Sequence, residues 1–409
     1  MRRAALLWDE SFLWGVMAHK AIDACGLSCD LLRAEDVRNG RLREYDLLFV
    51  PGGWASNKLK ALGSDGIEAV KRFVHDGGSY LGFCGGAGLA TEDGLGLVPV
   101  KRRPTKERVP SFSGRIRINT SDHPLWQGIA EPVFHAWWPS QFLVDESVSV
   151  LATYGEAMTD SFSSDINVGD AEAGDGWMEL ERIYQINLDP RRLMGEPAII
   201  EGAFGKGTVL LSLVHFDTPC DPNGKVMLRN IWNYFGCEYI ASDSVASAHR
   251  DALVLNVAPD PLLSELEDAA NGLIELGMRN FLWFWKNPLL LQWRRGVRGL
   301  EYCTLYVMLK EISELLRAIK KNQKAPDLDR TMERIRALLL PFVEKARRLL
   351  VRERFFMQNG HITYERCDDR EVQGLREELF SRSKSYGGLF KELVDEIDGL
   401  LYKVMTLSS

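Results

Sequence analysis

A lone cysteine set among small residues, Gly82-Phe83-Cys84-Gly85-Gly86-Ala87, directly follows the apolar run Ser79-Tyr80-Leu81. The pattern predicts a strand that ends in a sharp turn into a helix and presents a thiol at the turn. Such an elbow needs glycine on both sides, because the strained turn crowds neighbouring Cβ atoms together. The helix that follows would point free N–H groups at a bound substrate and favour the thiolate form of Cys84. Cys84 is therefore the foremost candidate for chemistry in the chain.

The 409 residues suffice for two cores, and 45% hydrophobic with 26% charged residues is ordinary for a globular protein. The start of the chain carries too short an apolar run for a secretory signal, and no uncharged apolar run reaches the length of a membrane span. A cytoplasmic location without a transmembrane segment is the expectation. Seven cysteines without framework spacing suggest reduced thiols. Residues 256–409 hold 25 basic and 23 acidic side chains, whereas residues 1–255 hold 25 and 34, so neither half has the charge of a nucleic-acid binder. Within the second half, residues 291–358 carry 16 basic against 8 acidic side chains, either a solvated helical surface or a face for an acidic partner or anionic lipid.

Over the first 240 residues, short β-type runs alternate with helical segments. Strands are predicted at 4–8, 28–32, 47–50, 80–83, 115–118, 148–153, 198–203 and 208–213, with helices at 15–25, 64–76 and 225–234. The first four strands with their crossovers point to a parallel α/β sheet, and the closely spaced strands beyond residue 110 to antiparallel additions. The small, polar composition of residues 241–261 reads as a linker. Beyond it the apolar spacing turns helical, through Leu305, Leu309, Ile312, Leu316 and Ile319, then Ile335, Leu338, Phe342, Ala346 and Leu349, then Leu389, Leu393, Ile397, Leu400 and Val404. With a further helix at 262–285, residues 262–409 read as an all-α bundle of about four long helices. No metal-ligand spacing is present, and neither a metal nor another cofactor is expected.

A cysteine nucleophile needs a base, and the base a third group to orient it. His215-Phe216-Asp217 follows the apolar run Gly207–Val214, at the strand edge where open α/β sheets place their sites. Pro51-Gly52-Gly53 follows another apolar run and would leave backbone amides free for an oxyanion, shared between Gly53 and Gly85. Gly52, Gly86, His135 and Trp137 are candidates for binding a substrate. The last two stand in the aromatic segment Phe134-His135-Ala136-Trp137-Trp138-Pro139, which reads equally well as core at a sheet edge.

The order strand-Pro-Gly-Gly, helix, strand-Gly-x-Cys-x-Gly and a distant Gly-Lys-Gly-strand-His-x-acid resembles the class I glutamine amidotransferase-like family over roughly residues 1–240. The pattern Gly-x-Cys-x-Gly-Ala is closest to the branch found as the N-terminal domain of biotin–protein ligases. The resemblance implies an open, mostly parallel sheet with flanking helices, amidotransferase- or flavodoxin-like, and a catalytic triad of Cys84, His215 and Asp217. Two positions depart from the family. Its acid is usually Glu, where this chain has Asp217. True glutaminases usually carry Gln four residues after the nucleophile, where this chain has Gly88, which argues against glutaminase activity. The nearest match to a ligase Gly-Arg-Gly-Arg loop, Arg294-Arg295-Gly296-Val297-Arg298-Gly299, reads instead as a basic turn between helices.

The reading is of a cysteine-dependent hydrolase or amidase acting on a carbonyl or amide of a small molecule. A non-catalytic module binding a metabolite or partner at a degenerate site, and a redox-active thiol protein in which Cys220 could resolve an oxidised Cys84, stand as alternatives. The apolar run 278–293, broken at Lys286-Asn287-Pro288, does not span a bilayer and could serve in docking, to the first domain, a second copy, another protein or a membrane surface.

Overall fold

The computed structural model describes residues 2–171, 176–237, 260–318, 327–358, 363, 367–382 and 385–408. The chain divides into two compact units, Met1–Ala246 and Ser247–Ser409. Of the expected linker at 241–261, all but Asp260 and Pro261 lies outside the described residues, as does Ile319.

The strands of the first unit are β1 (Ala4–Leu7), β2 (Asp30–Leu32), β3 (Leu47–Val50), β4 (Ser79–Phe83), β5 (Lys101–Arg102), β6 (Phe112–Thr120), β7 (Val133–Trp137), β8 (Phe142–Leu143), β9 (Ser149–Ala157), β10 (Phe162–Ser163), β11 (Ile166–Asn167), β12 (Pro197–Phe204) and β13 (Gly207–Ser212). β5 and β8 form a small antiparallel ribbon, and the others make one mixed sheet in the order β11-β10-β6-β9-β12-β13-β4-β3-β1-β2, with β7 also on β6. The pairs β2-β1, β1-β3, β3-β4 and β4-β13 are parallel, and the strands from β6 to β12 join antiparallel. Helices α1 (Leu13–Ala24), α2 (Ala34–Arg38), α3 (Ala55–His75) and α4 (Gly85–Ala90) run between the first strands. This is the open α/β sheet with flanking helices that the alternation of elements implies.

β1, β3 and β4 are buried along their whole length, the condition of central parallel strands covered on both faces and the reason their sequences are unbroken apolar runs. Their register places the site. Val50 pairs with Gly82 and Ser212 with Phe83, so the segments leaving β3, β4 and β13 emerge level with one another at one edge of the sheet.

Two expectations in this unit need revision. The helix expected at 64–76 is the second half of α3, which starts at Ala55 and continues across a break at Gly63, with φ 63° and ψ −179°. The aromatic segment at 134–139 is largely strand β7. It lacks clean alternation, since the adjacent Ala136 and Trp137 are both buried, Trp137 with its Nε1 on Thr218.

The second unit holds helices Pro261–Arg279, Gly299–Ala318, Leu328–Phe356, Arg370–Phe380 and Gly388–Ser408, with a hairpin of β14 (Trp283–Asn287) and β15 (Leu290–Trp293). The helix expected at 262–285 thus ends at Arg279. Of the residues that interrupt the apolar run, Lys286 and Asn287 end β14 and Pro288 opens the turn, across which Asn287 Oδ1 accepts from the amides of Leu289 and Leu290, both at 2.9 Å. Trp283 and Leu289–Leu291 are buried, while Phe281 and Phe284 are exposed. The basic segment at 294–298 lies between hairpin and helix rather than between two helices, and Gly296 O accepts from the buried Arg376, which also pairs with Glu353 at 2.7 Å. Burial raises the Glu353 carboxyl to about 7.

The expected apolar stripes hold the core, except that Leu339 and Phe390 are buried where Leu338 and Leu389 are partly exposed. The basic excess of residues 291–358 meets acids from other helices of the same unit, in Arg336–Glu265, Arg317–Glu267, Arg334–Glu396 and Arg352–Asp369. Much of that charge is therefore neutralised within the unit.

Glycines in this unit divide by what surrounds them. A Cβ on Gly374 or Gly399, both helical, would meet nothing within 4 Å, whereas one on Gly277 would lie 2.0 Å from the Trp283 ring. Gly374→Ala and Gly399→Ala should each raise stability by about 0.5–1 kcal/mol through reduced chain entropy of the unfolded state, and Gly277→Ala should lower it by about 3 kcal/mol. Urea denaturation of the three variants checks both signs.

Candidate functional site

Cys84 leaves β4 with φ 47° and ψ −101°, a conformation that costs a residue with a Cβ about 1–3 kcal/mol. Its neighbours hold it there. The Cys84 amide donates to Ser212 O at 2.8 Å, the Gly88 amide donates to Cys84 O at 2.9 Å, and the Tyr80 hydroxyl donates to Gly86 O at 2.7 Å. The flanking glycines are sterically required. An ideal Cβ on Gly82 would stand 2.7 Å from the Gly86 carbonyl, one on Gly85 1.8 Å from Gly53 O, and one on Gly86 1.9 Å from Val50 O.

Those contacts bring the Pro51-Gly52-Gly53 turn against the elbow. Gly53 has φ 115°, which suits glycine, and a Cβ there would also strike Glu10 O at 2.5 Å. Gly52 lies against the Trp14 indole. Among the described residues, neither the Gly53 nor the Gly85 amide donates to a backbone acceptor.

His215 and Asp217 follow β13, and both are completely buried. Imidazole Nδ1 and Asp217 Oδ1 are 2.9 Å apart. Nε2 makes no hydrogen bond of ordinary geometry. Burial alone would drive the imidazole to its neutral form, but the Asp217 charge and hydrogen bond, reinforced by the Cys84 sulfur, outweigh it and hold the His215 pKa at about 10. The site thus favours an imidazolium beside the sulfur. Trp14 lies over the ring, with centroids 4.9 Å apart. The loop is tied across to β7 by His215 N donating to His135 O at 2.7 Å, and by Trp137 Nε1 donating to Thr218 Oγ1 at 3.0 Å while Thr218 Oγ1 donates to His215 O at 3.1 Å.

Of the proposed binding residues, Trp137 borders the thiol through its carbonyl oxygen, 4.0 Å from Sγ. His135 stacks on the Trp137 ring at 5.2 Å and is held by Asp221, Nδ1 to Oδ2 at 2.9 Å, with Asp221 also capping the following helix through the Gly224 amide. Trp138, at φ 51°, stands edge-on to Trp14 with centroids 6.2 Å apart. Sequence reasoning passed over Trp14, Thr218 and Asp221, which lie in ordinary-looking segments, and also Arg102, Arg108 and Tyr154. The first signal of these three is at Gly88: an ideal Cβ there would lie 2.8 Å from Arg102 Nη1, so the guanidinium of β5 fills the space beside the first turn after Cys84.

Residues 42–93, from β3 to just past the elbow, match the family described as biotin-protein ligase, N terminal. The phosphoribosylformylglycinamidine synthase subunit PurQ of Koribacter versatilis is 33% identical over 93 residues, 22% of this chain and 40% of that protein. The pyridoxal 5'-phosphate synthase subunit PdxT of Pyrococcus abyssi is 26% identical over 97 residues, 21% of this chain and 50% of that protein. These matches support a class I glutamine amidotransferase-like family, with a domain of the biotin–protein ligase N-terminal type at residues 42–93. The chain spans half or less of the length of these two relatives. Among solved structures, one assigned as a GMP synthase subunit from Thermoplasma acidophilum aligns with 61% of this chain and 97% of its own, at 12% identity and a TM-score of 0.37.

The His215–Asp217 pair carries a pH signature. Its imidazole holds a proton to about 10 in the folded state, against an ordinary value of 6.5, so the stabilisation is complete below pH 6.5 and drains away as pH rises through 10. Asp217→Asn should therefore cost about 3 kcal/mol near pH 6, with the deficit shrinking towards pH 10. Urea midpoints of both proteins across that range check it, and a deficit independent of pH would contradict the assignment.

Proposed function

We propose that Cys84, His215 and Asp217 form a catalytic triad that hydrolyses an amide or ester of a small molecule. What supports this reading is the strained Cys84 elbow together with a buried imidazole, held 2.9 Å from a buried carboxylate, whose proton the Cys84 sulfur helps to retain. In the first step the Cys84 sulfur bonds to the carbonyl carbon, the carbonyl electron pair moves to oxygen, and the Gly53 and Gly85 amides stabilise that oxyanion. His215 then gives its proton to the departing amine or alcohol as the C–N or C–O bond breaks. Water, losing a proton to His215, attacks the thioester, and the carboxylic acid leaves as the thiol is restored. Asp217 keeps the ring in the tautomer and orientation both steps need.

Similarity to amidotransferase subunits over part of the chain supports the acyl-transfer chemistry but not free glutamine as the substrate. The space beside Gly88, where family glutaminases usually carry Gln, is taken by Arg102. No helix among the described residues is long and apolar enough to cross a membrane, and a cytoplasmic small-molecule enzyme is the setting we propose.

At neutral pH, iodoacetamide should label Cys84 faster than the exposed Cys220 and far faster than the buried Cys25, Cys237, Cys303 and Cys367. His215→Ala should slow Cys84 labelling by about 100-fold. Peptide mass spectrometry of labelling time courses measures both. Equal rates at Cys84 and Cys220 would sink the nucleophile assignment, and turnover surviving in Cys84→Ser would leave the pocket a binding site only.

A further inference from the structure

Two arginines beside the thiol have no acidic partner among the described residues. Arg102 lies on β5 with its guanidinium over Gly88, and its Nε is buried without a hydrogen bond. Arg108, half-buried, donates only to neutral hydroxyls, Ser140 Oγ at 2.6 Å and Thr105 Oγ1 at 3.2 Å, and its Nε is likewise buried and unbonded. Arg103, between them in sequence, also has a buried and unbonded Nε but differs in having an acid, its Nη2 donating to both Glu196 carboxylate oxygens at 3.0 and 3.1 Å. Burying cationic side chains near one another without a counter-charge is unfavourable, and such an arrangement is usual only where an anion supplies what the protein withholds.

The two groups sense each other and the site. Burial first and the Arg102 charge second make Arg108 easier to deprotonate, while the Cys84 charge and Tyr154 act in the opposite sense. Tyr154, fully buried, donates its hydroxyl to Ser140 O at 3.5 Å, and Ser140 is also the residue whose hydroxyl accepts from Arg108. The cationic pair is thus within electrostatic reach of the sulfur and not a remote surface patch.

We infer that Arg102 and Arg108 form an anion subsite beside Cys84, so that the substrate is a small amide or ester carrying a carboxylate or phosphate group near the bond that is cleaved. The inference rests on the reading of Cys84 as nucleophile and adds to it the class of substrate. Guanidinium groups present planar, two-pronged donors that match either anion, and in a partly buried site they select against neutral analogues by leaving themselves unpaired.

The test compares alkylation of Cys84 by iodoacetate and by iodoacetamide, which share a leaving group and differ in charge. In the full-length protein the ratio of the iodoacetate rate to the iodoacetamide rate should exceed that of free cysteine by about tenfold, and in Arg102→Gln/Arg108→Gln it should fall to about the free-cysteine value. Arg102→Lys/Arg108→Lys, which keeps the charges, should retain much of the preference. If the glutamine variant does not fold, the wild-type ratio measured as salt is raised gives the same information, since an anion subsite loses its preference by screening. A wild-type ratio equal to that of free cysteine, or one unmoved by the glutamine substitutions, overturns the subsite. Failure of iodoacetamide itself to label Cys84 is a different result and strikes the nucleophile assignment. Protection of Cys84 against iodoacetamide by succinate more than by inorganic phosphate assigns a carboxylate substrate, the reverse order a phosphate, and protection by neither overturns the proposal.

Discussion

The first unit is organised around one close approach of backbone to backbone, where the peptide at Gly85 meets that at Gly53 with no room for a methyl group between them. The contact exists because β3 and β4 are parallel neighbours in level register, so the turn after one and the elbow after the other are pressed side by side. It also explains why the strain at Cys84 persists. The thiol-bearing residue is caught between a helix that has already begun and a strand whose partner, Ser212 O, holds its amide. Relaxing φ at Cys84 would break that bond and move α4 off β3, so a local cost of about 1–3 kcal/mol is held in place by the sheet as a whole.

Electrostatics at the site run against those of the unit that contains it. Residues 1–246 carry 33 acidic and 24 basic side chains, yet the groups gathered about Cys84 include an imidazolium and two guanidinium groups with no acidic partner among the described residues. Net charge is a property of the solvated surface, where side chains are screened and interchangeable. The field at a buried sulfur depends on a handful of residues at short range, and Asp217 affects it mainly by fixing the proton on His215.

Much of the sheet was legible because buried parallel strands must be apolar throughout, and 47–50 and 79–83 are runs of that kind. Cys84, His215 and Asp217 could be picked out for a related reason: each stands where such a run gives way to glycine or a polar side chain, and strand ends in this architecture face one edge. Elements whose signals mix were harder. β7 does not alternate cleanly, because Trp137 is buried beside Ala136 with its N–H on Thr218, and the hairpin at 283–293 looks like a broken helix until Asn287 is seen bonding two successive amides. Arg102 and Arg108 had no signal at all. β5 is two residues long, too short for any period, and Arg108 belongs to no regular element, so their nearness to Cys84 follows from tertiary packing alone.

On the reading proposed above, glycine at position 88 would let the site change what it selects without changing its reacting groups. A side chain projecting from α4 would recognise substrate from the helix that carries the nucleophile, and a neutral amide there would do so through hydrogen bonds. With glycine at that position, the space opens to Arg102, which arrives from a ribbon with no part in the central sheet. The geometry about Cys84, built on β3, β4 and β13, does not depend on position 88, because the contacts that hold Cys84 run through Gly53, Val50 and Ser212. What alters is the discriminating force: a hydrogen bond between neutral groups contributes roughly 1 kcal/mol net, whereas one to a charged group contributes about 1.5–3 kcal/mol and leaves a buried cation unsatisfied when the wrong molecule enters.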